Sequence, residues 1–326
     1  MCLFKHYNLF QLTVNPSPNL ILPNQGENMN GFLSKVIPII IIFFLGYFLK
    51  KIKLFASGTA DTLLKIVFYV TLPALTFLSG STAELSLQFF YLPIIAIVVV
   101  LIIFSVSYPI SKRFNLPNAT RGTFLVGTLI MNTGFTLPFV LAAYGNQGLA
   151  IYTIFDFGNT LMIFTFTYYF AIKFGKNEHR KIPIKKFLLL PPIWGLIFGI
   201  IFNLLKFELH PTALNLLDIV GKPTIFLVIL SLGIYFSPKI TNLSKMLTVF
   251  SLRIGLGMML GLLAVNLLNI EGIMRTLVVI FCGAPVGYNT LVFASLEEMD
   301  KEFAASLVSI SLLLGIIYVP LLIYFL

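Results

Sequence analysis

The chain has 326 residues, of which 58% are apolar and 10% are charged, and its mean hydropathy is +0.97. This composition excludes a water-soluble globule of this size and indicates a protein whose solvent is lipid. The net charge of +10 does not indicate nucleic acid, because the basic residues stand in short clusters between apolar runs, as membrane orientation signals do.

The first 31 residues form a polar tail rich in Asn and Pro. The tail lacks the ordered basic, apolar and small-residue segments of an export signal. A second methionine, Met29, stands directly before the first apolar run. We therefore treat residues 1–31 as a tail outside the fold and leave open whether Met1 or Met29 is the true start.

Ten apolar windows follow, each close to the roughly 20 residues that cross a bilayer as a helix. They lie at about 32–49, 62–80, 89–111, 122–144, 149–174, 187–205, 212–236, 246–268, 273–296 and 303–326. The sequence therefore predicts an all-α polytopic membrane protein with ten transmembrane helices.

The distribution of Lys and Arg predicts the orientation of these spans. Of the 22 basic residues, 17 lie in or beside the loops that follow odd-numbered spans. The other five are Lys5, Lys35, Lys206, Lys222 and Arg275. The positive-inside rule then places the odd-numbered loops in the cytoplasm and both termini outside.

The longest basic loop, residues 175–186, separates two halves of five spans each, residues 32–174 and 187–326. With an odd number of spans per half, the second half must insert upside down, which is the plan of a 5+5 inverted repeat. A faint internal match supports this plan: residues 63–67 resemble residues 216–220 at an offset of 153. Chance similarity between segments rich in Leu, Ile and Val is the alternative.

Spans 4 and 9 each contain a stretch that interrupts a helix, residues 132–138 (NTGFTLP) and 283–290 (GAPVGYNT). Pro removes a backbone donor and Gly lets the backbone leave the helix, so unpaired N–H and C=O groups are expected there. In a membrane such groups are tolerated inside protein or beside a wet cavity, where half-helix N-termini offer positive partial charge to anions. A kink that serves packing alone is the alternative.

Asp156 in span 5 is the one acidic residue near the middle of any predicted span. A carboxylate at that depth should face a cavity and bind a cation, carry a proton or pair with a base. A structural hydrogen bond, for example with Asn159 about one turn on, is the alternative.

Other charged residues receive ordinary interpretations. Lys222 lies in span 7 and Arg253 in span 8, and both are predicted to snorkel to the interface. The acidic residues between spans 9 and 10 are predicted to be solvated surface. They are Glu297, Glu298, Asp300 and Glu302.

The sequence gives little support to chemistry other than transport. The three histidines lack metal-ligand spacing, and Cys2 and Cys282 lie in unrelated contexts. No phosphate-binding glycine loop or nucleophile elbow is present. No cofactor, ATP-driven step or enzymatic activity is therefore predicted, and coupling to H⁺ or Na⁺ stays open.

Several short motifs, in their order and spacing, resemble the auxin efflux carrier family, which includes plant auxin exporters and prokaryotic carriers associated with malonate or malate. The motifs are Ile37-Pro38, Gly46-Tyr47, Val70-Thr71-Leu72-Pro73-Ala74, Arg121-Gly122-Thr123-Phe124, Asn132-Thr133-Gly134-Phe135, Asp156 with Asn159, Ser231-Leu232-Gly233, residues 284–294 and residues 304–308. The resemblance covers nearly all of residues 32–326. It implies a 5+5 inverted repeat, broken helices 4 and 9 that cross near the substrate, and elevator-like movement of small organic anions.

The chain departs from the plant pattern in three ways. Met131 stands where those carriers have a proline, the stretch from Asn132 to Pro138 is one residue shorter, and the long central loop of many plant carriers is absent. Auxin itself is therefore not the predicted substrate.

The leading hypothesis is a secondary active or facilitative efflux carrier for small carboxylates in the cell membrane. Its predicted substrate site consists of residues at the two breaks: Asn132, Thr133, Gly134, Pro285, Gly287, Asn289 and Thr290. Asp156, with Asn159, is predicted to bind a coupling ion or to support the site. The predicted partners are a small organic anion and the lipid bilayer, and a homodimer stays open. A sodium-coupled carrier of the bile-acid or arsenite-exporter kind and a sensor that moves no ligand are the alternatives.

Overall fold

A computed structural model describes residues 29–82, 87–175 and 191–326. Most of the polar tail and of the loop predicted at 175–186 lies outside these residues. The helices are α1 Met29–Lys51, α2 Ser57–Ile66, α3 Leu72–Thr82, α4 Tyr91–Arg113, α5 Asn118–Leu129, α6 Thr133–Met162, α7 Tyr168–Phe174, α8 Pro191–Leu204, α9 Pro211–Gly221, α10 Thr224–Tyr235, α11 Leu243–Phe250, α12 Gly257–Leu267, α13 Gly272–Cys282, α14 Asn289–Leu296 and α15 Lys301–Phe325.

Three wider π-helical segments join helices that continue one another. Val67–Thr71 joins α2 to α3, Ile163–Thr167 joins α6 to α7, and Ser251–Leu256 joins α11 to α12. A short 3₁₀ turn, Leu87–Phe90, precedes α4. Such π segments are often found at functional sites in helices.

Six helical segments of the described chain are long and apolar enough to cross a membrane. They are Gly58–Thr82, Gln88–Arg113, Thr133–Phe174, Pro211–Tyr235, Leu243–Leu267 and Lys301–Phe325. Pro191–Leu204 and Gly272–Cys282 are shorter apolar helices. Helical residues also occupy part of each of the ten predicted windows. The prediction of an all-α polytopic membrane protein is confirmed, while the ten-helix 5+5 repeat stays a prediction.

The segment Thr133–Phe174 has 42 residues, about twice what one crossing needs. Gly145 divides it, with φ 54° and ψ −141°. No atom lies within 4 Å of the position that a Cβ would take at Gly145, so the backbone angle, and not crowding, favours glycine there. The division falls between the windows predicted for spans 4 and 5.

Two helix pairs approach so closely that their backbones touch at glycines. A Cβ on Gly46 of α1 or on Gly233 of α10 would overlap backbone atoms of the other helix. In the same way, a Cβ on Gly80 of α3 would lie 2.7 Å from the carbonyl oxygen of Leu196 in α8. On the α8 side, a Cβ on Gly199 would overlap the backbone of α3. Small residues are the usual means by which membrane helices pack this tightly.

Candidate functional site

The centre of the molecule is a place where two interrupted helices meet backbone to backbone. Helix α5 ends at Leu129 and α13 ends at Cys282, and the chain leaves the helix after each of them. Met131 and Val286 form an isolated antiparallel bridge. Its two backbone hydrogen bonds run from the N–H of Asn132 to the oxygen of Pro285 (2.9 Å) and from the N–H of Gly287 to the oxygen of Ile130 (3.0 Å).

Local chemistry explains why the chain leaves the helix at these points. The side chain of Asn132 caps α6, since its Oδ1 accepts a hydrogen bond from the N–H of Phe135 (3.1 Å). Its Nδ2 donates to the oxygen of Val286 (3.2 Å), so the same amide also holds the other broken helix. Gly287 is required by space, because a Cβ there would overlap the side chain of Ile130.

The break in span 4 differs from the predicted one. Residues 132–138 were predicted to interrupt the helix, but the interruption is Ile130–Asn132, and Thr133 to Pro138 are helical. The predicted interruption is confirmed at Asn132 and was wrong for residues 133–138, because it took Pro138 as a breaker. Pro138 instead lies inside α6, where its ring nitrogen has no hydrogen to donate to the carbonyl of Gly134. In span 9 the predicted break, residues 283–290, is confirmed as far as Tyr288, and Asn289 and Thr290 begin α14.

Asp156 lies in a cluster of hydrogen-bond donors beside the start of α6. Its Oδ1 accepts hydrogen bonds from Thr133 Oγ1 (2.6 Å) and Asn159 Nδ2 (2.9 Å), and its Oδ2 accepts one from Thr160 Oγ1 (3.1 Å). Asn159 Nδ2 also contacts the carbonyl oxygen of Met131 (3.2 Å). The structure therefore brings the predicted residues Thr133, Asp156 and Asn159 together, next to the backbone bridge.

One acceptor in this cluster has no donor. The side chain of Asn159 is buried, and its Oδ1 has no hydrogen-bond partner within the part of the chain that the structure describes. This oxygen and the carboxylate of Asp156 belong to one hydrogen-bonded cluster. Oxygen ligands of this kind suit a hard cation such as Na⁺, and a carboxylate also suits a proton.

The polar side chains at the start of α14 make fewer hydrogen bonds to described residues than those around Asp156. Asn289 is partly exposed, and no hydrogen bond joins its side chain to another described residue. Thr290 is buried, and its Oγ1 has no hydrogen-bond partner among the residues described. The N–H of Thr290 bonds to the oxygen of Gly287 (3.0 Å), which places both residues directly after the backbone bridge.

The remaining predicted residues differ in what surrounds them. Gly134 is partly exposed, and the nearest atom to the position that a Cβ would take there is Asn132 Oδ1 at 3.9 Å. Pro285 is buried and contributes its carbonyl oxygen to the bridge. Gly134 is therefore open to a bound molecule, whereas Pro285 and Gly287 hold the backbone.

Arg253 is an important residue at this centre that the sequence interpretation missed. It was predicted to snorkel, but its side chain is fully buried and donates to the carbonyl oxygens of Thr128 (3.3 Å) and Cys282. A signal was present in the sequence: Gly257 and Gly261 follow Arg253 at intervals of four and so share its helix face. Two small residues on one face indicate that this face packs against another helix and not against lipid.

The acidic loop between spans 9 and 10 also differs from the prediction. Glu297 is buried and accepts a hydrogen bond from Tyr168 Oη (2.7 Å), and Asp300 caps α15. Lys222, in contrast, is exposed, and its Nζ lies 2.5 Å from Asp218 Oδ2. The interpretation of solvated surface was therefore wrong for Glu297, and Asp300 stabilises a helix end.

Comparison with known proteins gives one family and two relatives. The family described as membrane transport protein matches residues 32–182 and 178–323 of this chain. An uncharacterised transporter of Methanocaldococcus jannaschii is 26% identical over 296 residues, which covers 88% of this chain and 96% of the relative. An uncharacterised transporter of Methanothermobacter thermautotrophicus is 25% identical over 298 residues, covering 89% of this chain and 97% of that protein.

Proposed function

The chain belongs to the membrane transport protein family, and on that premise we propose that it carries small organic anions and recognises them by a carboxylate group. The family match and both archaeal relatives identify an integral membrane transporter and not an enzyme. The family is the one that the sequence motifs resembled, so that prediction is confirmed.

The observation that carries the substrate proposal is a difference between the N-termini of α6 and α14. A helix N-terminus carries roughly half a positive charge. At α6, the carboxylate of Asp156 already accepts a hydrogen bond from Thr133, the first residue of the helix. At α14, the side chains of Asn289 and Thr290 have no hydrogen-bond partner within the described residues. A substrate carboxylate at α14 would meet positive partial charge together with an amide donor and a hydroxyl donor.

We also propose that the two halves form the 5+5 inverted repeat. Several contacts support it, because an offset of 153 residues, found in the sequence, interchanges them. Gly46 and Gly199 are 153 residues apart, and so are Gly80 and Gly233, so the two glycine crossings map onto each other. Thr71 and Thr224 are also 153 apart, and their hydroxyl oxygens are 2.7 Å apart, as expected of a pair beside a two-fold axis.

Within this plan, we assign the coupling role to Asp156 and Asn159. The donors around the carboxylate hold its two oxygens in place, and the uncommitted Oδ1 of Asn159 could join it in holding Na⁺. Proton coupling would use the carboxylate alone. Sodium coupling would resemble the bile-acid and arsenite-exporter kind of carrier. Identifying the coupled ion therefore distinguishes a proton-coupled carrier from a sodium-coupled one.

The remaining parts of the proposal concern movement and placement. We propose elevator-like movement, efflux across the cell membrane and termini that both face outward, with the 17 basic residues in cytoplasmic loops. A homodimer is the oligomeric state we would test first, by mass measurement in detergent.

Substrate class can be tested on purified protein. A thermal-shift screen against monocarboxylates, dicarboxylates, aromatic acids and amino acids should show stabilisation by one carboxylate class, because a ligand that binds the folded state raises its apparent stability. Stabilisation by amino acids or by none of the acids would contradict the proposal. A ligand that stabilises the protein but is not taken up by proteoliposomes would support the sensor.

The site itself can be tested with the stabilising acid as ligand. We expect Asn289→Ala to weaken its binding by about 10- to 100-fold, since hydrogen bonds to charged groups contribute about 1.5–3 kcal/mol. Asn266→Ala, at an exposed position of α12, is the matched control and should bind as the wild type does. Unchanged affinity in Asn289→Ala would remove α14 from the site.

The coupling role predicts that Asp156→Asn loses the ion dependence of uptake. The amide is nearly isosteric but can neither ionise nor balance the charge of a bound cation. Uptake by Asp156→Asn and wild type should be compared at several pH values, with Na⁺ and with K⁺. The same pH and sodium dependence in both proteins would rule out a coupling role for Asp156.

A further inference from the structure

The C-terminal ends of both interrupted helices meet at one buried cation. Arg253 Nη1 donates to the carbonyl oxygen of Thr128, the next-to-last residue of α5, at 3.3 Å. Arg253 Nη2 donates to the carbonyl oxygen of Cys282, the last residue of α13. The side chain of Arg253 is completely buried.

The charge at this point is balanced without a carboxylate. The C-terminus of a helix carries roughly half a negative charge and leaves its last carbonyls without helical partners. Two such ends supply about one negative charge, which matches the single positive charge of a guanidinium. Within residues 29–82, 87–175 and 191–326, no ion pair joins Arg253 to an acidic side chain. The two helix ends are thus the counter-charge that makes a buried arginine tolerable.

The packing around Arg253 brings the end of α13 close to it. A Cβ on Gly257 would overlap the carbonyl oxygen of Cys282 and would lie 2.6 Å from Arg253 Nη2. One turn further on, a Cβ on Gly261 would lie 2.9 Å from the Cβ of Cys282. An arginine suits the position because its planar fork presents donors in several fixed directions, whereas lysine offers one compact ammonium group.

We propose that Arg253 is a positioning residue of the transport site, which holds the ends of α5 and α13 at a fixed separation. Three residues separate the end of α5 from α6, six separate the end of α13 from α14, and the backbone bridge lies in these two short segments, so their relative placement depends on the same contact. This role rests on the proposed function for what the site does, but the contact itself can be tested without transport. It also makes α5, α13 and the π segment Ser251–Leu256 one unit in any movement.

Cys282 is a native reporter of this contact, because its own carbonyl receives the hydrogen bond and its thiol is buried. In protein whose Cys2 is replaced by Ser, the rate of modification by N-ethylmaleimide can be followed by intact mass. We expect Arg253→Met to be modified about 10- to 100-fold faster than the parent, since labelling of a buried thiol follows how often the site opens and charged hydrogen bonds shift such equilibria by these factors. Arg275→Met removes the same charge from the other end of α13 and should be labelled at the parent rate.

The lysine variant supplies a conservative comparison. Arg253→Lys keeps the charge but not the fork, so we expect a labelling rate between those of the parent and Arg253→Met. Parent-like labelling of Arg253→Met, or faster labelling of Arg275→Met to the same degree, would overturn the proposal. If Arg253→Met does not yield monodisperse protein, Arg253→Lys decides: faster labelling supports the two-carbonyl contact, and the parent rate overturns it. Labelling as expected in a protein that moves no carboxylate would refute the proposed function alone.

Discussion

Gly287 offers a direct test of the backbone bridge, because the position leaves no room for a side chain. In Gly287→Ala the new Cβ would overlap the side chain of Ile130 and would lie 3.4 Å from its carbonyl oxygen. Overpacking of this kind costs about 1–3 kcal/mol. If the chain moves apart, the two hydrogen bonds of the bridge are lost as well, at about 0.5–1.5 kcal/mol each. The expected destabilisation is therefore about 2–6 kcal/mol.

Thermal unfolding of purified protein in detergent measures this effect. At about 2 °C per kcal/mol for a chain of this size, the melting temperature of Gly287→Ala should fall by about 4–12 °C. Gly134→Ala is the matched control at the other interrupted helix, since the nearest atom to its Cβ position is 3.9 Å away. It should melt within about 2 °C of the wild type. Equal melting of Gly287→Ala and wild type, or an equal fall in both variants, would refute the role assigned to the bridge.

Three further predictions use the same melting assay. Gly46→Ala should destabilise by at least about 1–3 kcal/mol because its Cβ would enter the backbone of α10, whereas Gly255→Ala, with open space around it, should be neutral; similar values for the two would contradict the close crossing. Thr224→Val should cost about 0.6–1.7 kcal/mol by leaving the hydroxyl of Thr71 without its partner, and no loss would show that the pair is not formed. Asp300→Ala should cost about 1 kcal/mol through loss of the α15 cap, and Asp300→Asn, which can still cap, should recover most of it; equal losses would contradict capping.

The parts of the fold that could be predicted from the sequence are those that depend on composition along the chain. Apolar windows mark helices because lipid requires every backbone group to be paired within the segment. The break after α13 was visible because Gly283, Pro285 and Gly287 lie within five residues. The hydrogen-bond donors around Asp156 could be predicted only in part. Asn159 is one turn away in the sequence, but Thr133 is 23 residues away.

The rest depends on contacts between distant segments. The break before α6 lies at Ile130–Asn132 because the chain pairs there with Pro285–Gly287, and no residue type at Ile130 or Met131 marks it. The sequence around Arg253 fits a side chain that snorkels to the interface as well as one that stays in the interior, because a long cationic side chain can do either. Its side chain is buried because it binds the carbonyl oxygens of Thr128 and Cys282, which are 125 and 29 residues away in the chain.

The glycine crossing of α1 and α10 has a consequence for how the protein is made. Gly46 and Gly233 are 187 residues apart, so at about 5–20 residues per second α1 leaves the ribosome roughly 10–40 seconds before its partner. During that time the surface of α1 at Gly46 lacks the helix that covers it in the folded protein. The first half of the chain therefore cannot complete its packing during its own synthesis. Assembly must wait for the second half.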